Sequence, residues 1–173
     1  MRNIHPKTLQ DLEFPTVLTQ IAARCNTELG KEDALVIKPF QHKEELMKVL
    51  GQTSEYLASF SNDNRIPNHG FDHINNELGL LKIDNSTLEI SGFRKIGSIC
   101  KTVAIHQKFF KKFKEYYPLL FEKVNALELH PEIPAAIDDV IDKFGEIKDS
   151  ASDELRYIRS QINEVRSKIN QSF

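Results

Sequence analysis

The sequence predicts an all-α protein: an irregular multi-helix bundle over residues 1–149, leading into a long C-terminal helix over 150–173 that begins a coiled-coil arm. Three observations carry this reading. Apolar residues recur three and four apart through nearly every segment, which is the spacing of one helix face. Alternating character is confined to one extended stretch, 87–90. The last segment places Leu155, Ile158, Ile162, Val165 and Ile169 at intervals of 3, 4, 3 and 4, a stripe narrow enough for a coiled-coil seam.

The elements follow in order. A helix is expected from Lys7 to Leu12. A second starts at Phe14-Pro15, with the proline suited to the first turn, and carries Val17, Leu18, Ile21, Ala22 and Cys25 inward. Thr27 can cap a third, with Leu29, Ala34 and Ile37 facing in, before Pro39 ends it. Leu46, Val49, Leu50, Thr53, Leu57 and Phe60 define an amphipathic helix from Lys43, in spite of Gly51. Asn, Asp, Pro and Gly crowd 61–70 into a loop, and a short helix follows over 72–81. Ser91 can cap the longest internal helix, 92–114, with Ile96, Ile99, Cys100, Val103, Gln107 and Phe110 on one face and Pro118 as its stop. The stretch 119–129 is apolar and fits helix or loop. Pro131 starts a helix with Ile133, Ile137, Val140 and Ile141 inward, which Gly145 stops. Ser152 then caps the final helix, with Asp153 and Glu154 at its positive end. No Gly or Pro closes that helix before Phe173, so the chain reads as a piece of something longer.

With 173 residues, 40% hydrophobic and 28% charged, the composition is that of a soluble globular protein with enough length for a core. There is no apolar run of about 18 residues and no signal-peptide pattern in the polar 2–11, so no membrane partner and a cytoplasmic location are expected. Cys25 and Cys100 then read as thiols.

Charge is more informative in its distribution than in its net value of −2. Between Gly92 and Lys114 stand seven basic residues and no acidic one. Arg94, Lys101, Lys108 and Lys112 fall within about 40° of one another on a helical wheel, opposite the apolar face. Such a stripe either follows a phosphate backbone, as a nucleic-acid contact, or is a solvated helix face. Phe109 and Phe113 lie outside the core face and either pack on a neighbour or meet a partner. The compensating acid lies in 128–154, nine carboxylates against Lys143 and Lys148. Asp138, Asp139 and Asp142 lack an accompanying His or Cys and read as surface charge. His69 and His73 are four apart, but Gly70 intervenes and no third ligand is near, so no metal site is expected. Gly30-Lys31 fails as a phosphate loop, because Cys25 and Glu32 stand where glycine and Ser or Thr are required. No nucleophile setting of the Gly-x-Ser-x-Gly kind exists either. No catalytic, cofactor or metal residue is therefore assigned.

Two segments resemble a known family. KTLQDLEFPTVLTQIAARCNTELGKEDALVIKPF, residues 7–40, is similar to the amino terminus of the second bacterial MutS family, and FGEIKDSASDELRYIRSQI, residues 144–162, is similar to its approach to the clamp helices. The middle agrees mainly in helical pattern, and Phe144 stands where that family's turn has a polar residue. The Phe-x-Glu string at 144–146 copies the mismatch-reading motif of other MutS proteins, but it follows a helix rather than lying in their mixed α/β domain. The resemblance implies the opening core and lever portion of an ATPase; for that role Leu155, Ile158 and Ile162 are the expected root, packing the arm onto the bundle. It also implies ATP and magnesium, a nuclease-like domain and a homodimer in parts beyond these residues. The whole protein would bind branched or duplex DNA in repair and recombination control, or stalled ribosomes in their rescue. From outside that family, the alternative is a free-standing helical interaction module that pairs through the 155–169 seam.

Overall fold

A computed structural model describes residues 4–171, so expectations about Arg2 at the amino end and about the helix end at Phe173 lie outside it. Among the described residues the fold is all-α. Nine α-helices form and no β-strand, only one isolated antiparallel bridge between Ile141 and Ile147. The chain divides into two compact units. One takes the chain through His73 together with Lys101–Leu129; the other takes Ile74–Cys100 and the chain from His130 onward.

The first unit starts with α1 (Pro6–Asp11), capped by His5, whose Nδ1 accepts from the Lys7 amide at 3.2 Å. Glu13 at φ 53° turns the chain into α2 (Phe14–Ala22). Thr27 caps α3 (Glu28–Leu35) as expected, its hydroxyl accepting from the Gly30 amide at 3.0 Å. Helices α2 and α3 pack together around buried Leu18, Ala22 and Ala34. Helix α4 (Lys43–Ala58) packs on α7 (Pro118–Asn125), with Gly51 admitting Leu119 so closely that a Cβ there would lie 2.5 Å from its Cδ1.

Both ends of α7 are closed by side chains of other helices. The two Glu55 carboxylate oxygens accept from the amides of Leu119 and Leu120, each at 2.9 Å, at the positive end of α7. At the other end, Gln107 Nε2 donates to the carbonyls of Val124 (3.2 Å) and Leu127 (2.6 Å). Gln107 lies on α6 (Ile90–Lys112), whose residues from Lys101 on belong to this unit. Just before α7, fully buried Tyr117 donates its hydroxyl to Asn64 O at 2.7 Å and so holds the 61–70 loop. Phe109 stacks on Tyr117 with ring centres 6.0 Å apart, and Phe110 meets it edge-on at 6.1 Å. Phe109 and Phe113 thus pack within an aromatic cluster, their rings 4.8 Å apart. Buried His106 places Nδ1 2.8 Å from Thr102 O and Nε2 3.3 Å from Pro67 O, a second tie to the loop.

The second unit contains α5 (Asn75–Leu80), the first part of α6, and α8 (Glu132–Val140). Lys95 and Glu77 pair at 2.7 Å between α6 and α5. Buried Gly97 lets Ile137 of α8 approach α6, and Phe93, Ala136, Val140 and Ile141 close a small apolar cleft beside it. A short 3₁₀ turn, Asp149–Ala151, then leads into α9 (Asp153–Gln171).

Several boundaries differ from the sequence reading. Pro118 opens α7 instead of only closing α6, and α5 is confined to 75–80, with 71–74 irregular. Helix α6 starts at Ile90, ahead of Ser91. Helix α8 stops at Val140, not at Gly145, since extended backbone at Ile141 buries that side chain and pairs it with Ile147. Of the inward positions expected on α2, Val17 and Ile21 are exposed and only Leu18 and Ala22 are buried.

Removing the carboxylate that closes α7 tests how far this unit depends on it. Glu55→Ala is expected to lower unfolding stability by about 2 kcal/mol, from loss of a charged cap with two amide partners, and Glu55→Gln by about half of that. Urea denaturation checks both values.

Candidate functional site: the root of the last helix and the basic face of α6

The turn between α8 and α9 is built from short-range polar contacts. Ile141 and Ile147 bridge across it, with Asp142 N donating to Glu146 O (2.9 Å) and Lys148 N to Val140 O (2.8 Å). Asp142 Oδ1 accepts from the amides of Phe144 and Glu146, each at 2.9 Å, an arrangement aspartate favours because its short side chain mimics a turn's backbone acceptor. The Glu146 amide, opposed by desolvation and helped by the amides of Phe144 and Gly145 and by Lys148 nearby, holds the Asp142 carboxyl below its ordinary value of 3.8. Gly145 adopts φ 88°, and a Cβ there would lie 2.6 Å from Arg94 Nη1. Arg94 therefore roofs this turn.

From the turn, α9 is fastened at its base. Ser152 Oγ accepts from the Leu155 amide at 3.1 Å, confirming the expected N-cap. Arg159 reaches back to donate to Ile147 O at 2.9 Å and pairs with Asp149. Lys148 donates to Asp138 O. Leu155 is half-buried, whereas Ile158 and Ile162 are each 45% exposed, Val165 55% and Ile169 52%. Polar contacts fix the base, and the apolar seam above it is uncovered.

An open groove of about 520 Å³ runs along this base. Lys148, Arg156 and Arg159 line it against Asp142, Glu146 and Asp149, a balance that selects neither anion nor cation. Phe144 is 75% exposed with Lys143 Nζ 4.9 Å from its ring centre. Asp138 and Asp139 are exposed.

On α6, Lys101, Lys108 and Lys112 are exposed in the first unit, and Arg94 belongs to the second. Opposite the lysines, Phe110 and His106 are buried, so the face predicted from spacing is the solvent face. Lys112 Nζ lies 4.9 Å from the Phe113 ring centre.

The other motifs resolve simply. Gly30 lies inside α3 with its amide bound by Thr27, which leaves no loop of amides for a phosphate. His69 and His73 lie outside any helix, and the His69 ring packs edge-on to Tyr56 and His106. Among the described residues no three His, Cys, Asp or Glu side chains are grouped to hold a metal, and no helix is long and apolar enough to cross a membrane. Cys25 and Cys100 are both half-buried thiols. Sequence reasoning missed Asp142 as a turn-former and Arg159 as a tether. An Asp three residues before a Gly was the available signal for the first; nothing local marked the second.

Two variants probe the root. Gly145→Ala places a side chain at positive φ against Arg94 and is expected to cost about 1–2 kcal/mol, read from thermal unfolding. Because the folded Asp142 value is depressed, its ionised form contributes stability that is fully present above pH 3.8 and lost as pH falls through the lower folded value. Asp142→Asn is expected to flatten the pH dependence of Tm in that acid range, with little change in its slope near neutrality.

No family model matches the chain. Comparison with curated proteins finds relatives named endonuclease MutS2. One from a Geobacillus species is 29% identical over 171 residues, covering 97% of this chain and 22% of its own length. One from Pelotomaculum thermopropionicum is 28% identical, covering 95% of this chain and 21% of itself. One from Bacillus velezensis is also 28% identical, covering 94% and 21%. The chain spans about a fifth of the length of these relatives. Two motifs at the ends and one helical pattern throughout agree with this match, and the chain is homologous along nearly its whole length to part of the MutS2 endonucleases.

Proposed function

We propose that this chain is a non-catalytic core and lever portion of a MutS2-like protein, in which α9 is the base of a clamp arm. The observation that carries this reading is the contrast along α9. Its base is tied by Ser152, Arg159 and Leu155, while Ile158, Ile162, Val165 and Ile169 offer an exposed seam to another helix. A stiff helix held at one end passes on a rotation as a rigid body, and this is what coupling a clamp to a distant nucleotide site requires. On this reading 150–173 works as arm and 1–149 as its seat. On the same reading ATP and magnesium would be held in other parts of a longer, homodimeric, cytoplasmic protein. Its targets would be branched or duplex DNA in repair and recombination, or stalled ribosomes, with the basic face of α6 as a contact.

A second reading rests on the same seam. Four exposed branched residues on one side of α9 also suit a free-standing module that pairs with a copy of itself or with a partner helix.

Two measurements separate these readings. If the basic face contacts nucleic acid, Lys101→Glu with Lys108→Glu weakens DNA or RNA binding by this chain and lowers the salt slope by about 2, one per lost phosphate contact. Undetectable binding by the unaltered chain at low salt makes that face ordinary surface. For the seam, sedimentation velocity decides whether it pairs: a monomer at all concentrations overturns the module, and a dimer abolished by Ile162→Glu shows pairing through the seam, which the module requires and the lever allows. In a full-length protein carrying this segment, loosening the root with Arg159→Ala is expected to leave basal ATP turnover intact while its response to DNA falls.

A further inference from the structure

We infer that the end of α6 is a platform for single-stranded nucleic acid, in which Tyr116 stacks on an unpaired base and Lys108 and Lys112 hold successive phosphates to one side of it. This rests on the nucleic-acid reading of the basic face and narrows it to one class of ligand.

The arrangement lies wholly in the first unit. Beyond Lys112 the chain makes further helical turns, with Phe113 N donating to Phe109 O and Tyr116 N to Phe113 O, each at 3.0 Å, so the face set by α6 continues to Tyr116. At about 100° per residue, Lys101, Ile105, Lys108, Lys112 and Tyr116 fall on one side. Tyr116 is 61% exposed and Ile105 55% exposed. The exposed ring is not loosely held. Phe113 supports it edge-on with ring centres 6.4 Å apart, and the ring of Tyr117, the buried node of this unit, is also 6.4 Å away. A solvent-facing aromatic that rests on fixed aromatics has lost its freedom before any ligand arrives, which favours binding.

Charge around it has one predominant sign. Lys101, Lys108 and Lys112 on this face are exposed, and Glu115 is the carboxylate next to the ring in sequence. Lysines alone would suit a duplex, whose bases are stacked inside and whose backbone is all that a helix face of this kind can touch. A rigid exposed ring among lysines adds what only an unpaired base can use, because base-on-aromatic stacking needs a free π-face. Lys108 and Lys112 are about 6 Å apart along the helix axis, one turn, and Lys112 precedes Tyr116 by another turn, so two successive phosphate contacts lie in line on one side of the ring.

The test uses this chain with a fluorescein-labelled oligothymidylate of about 15 nucleotides, near the upper site size for single-strand binders, and a blunt duplex of equal length. Anisotropy is read at low and at near-physiological salt. The single strand is expected to bind more tightly. Tyr116→Ala should weaken it about 5- to 150-fold, the range for one lost stacking contact, and leave duplex affinity unchanged, while Tyr116→Trp restores the single-strand affinity. Lys108→Glu with Lys112→Glu should weaken both ligands and flatten the salt dependence. Circular dichroism confirms that each variant is folded. Equal losses for both ligands on Tyr116→Ala, no loss, or a preference for duplex overturns the single-strand inference and leaves the basic face as a phosphate contact. Absence of binding to either ligand at low salt overturns both.

Discussion

Helix ends must find partners for backbone groups that the helix itself cannot satisfy, and this requirement organises both units. The helices are mostly short, and among the described residues few apolar side chains are buried, chiefly Leu18, Ala22, Ala34, Phe110, Tyr117 and Ile141. With so little apolar burial, side chains that close helix ends carry an unusual share of the specificity. Glu55 and Gln107 close α7 from two other helices, and Tyr117 ties the loop before it. A misplaced α7 would lose all of these contacts at once, so they define one register for α4, α6 and α7.

The same principle builds the root of α9. Ser152 closes its first turn, Asp142 closes the turn before it, and Arg159 bonds both a backbone carbonyl and a carboxylate behind it. These partners are small or polar, so they fix direction without covering the apolar stripe. The stripe is left available, and its exposure at Ile158, Ile162, Val165 and Ile169 is what both functional readings of α9 use. The chain is similar along nearly its whole length to about a fifth of the MutS2 endonucleases. The aromatic cluster at the end of α6 works in the opposite way, since Phe109, Phe113 and Tyr117 fix an exposed ring among lysines instead of burying it.

Much of this was present in the chain itself. Period 3.6 marked the helices, and Thr27 and Ser152 marked two of their starts, because capping is local chemistry between a hydroxyl and an amide three residues on. The solvent face of α6 was also readable, since lysines and apolar residues on opposite sides of a helix leave only one orientation. The family resemblance came from two segments in fixed order, and full-length comparison agrees with it. Tertiary structure decided what depends on residues far apart. Glu55 meets α7 across more than sixty residues, and no spacing rule reports that. Ile141 leaves its helix to bridge Ile147 and bury its side chain, although helical spacing alone would have kept it in α8. Which half of an apolar face is covered, as for Leu18 against Val17 and Ile21, depends on how many neighbours surround the helix. Local sequence sets the period of a helix and the chemistry of its ends; only packing decides which of its faces meets protein and which meets water.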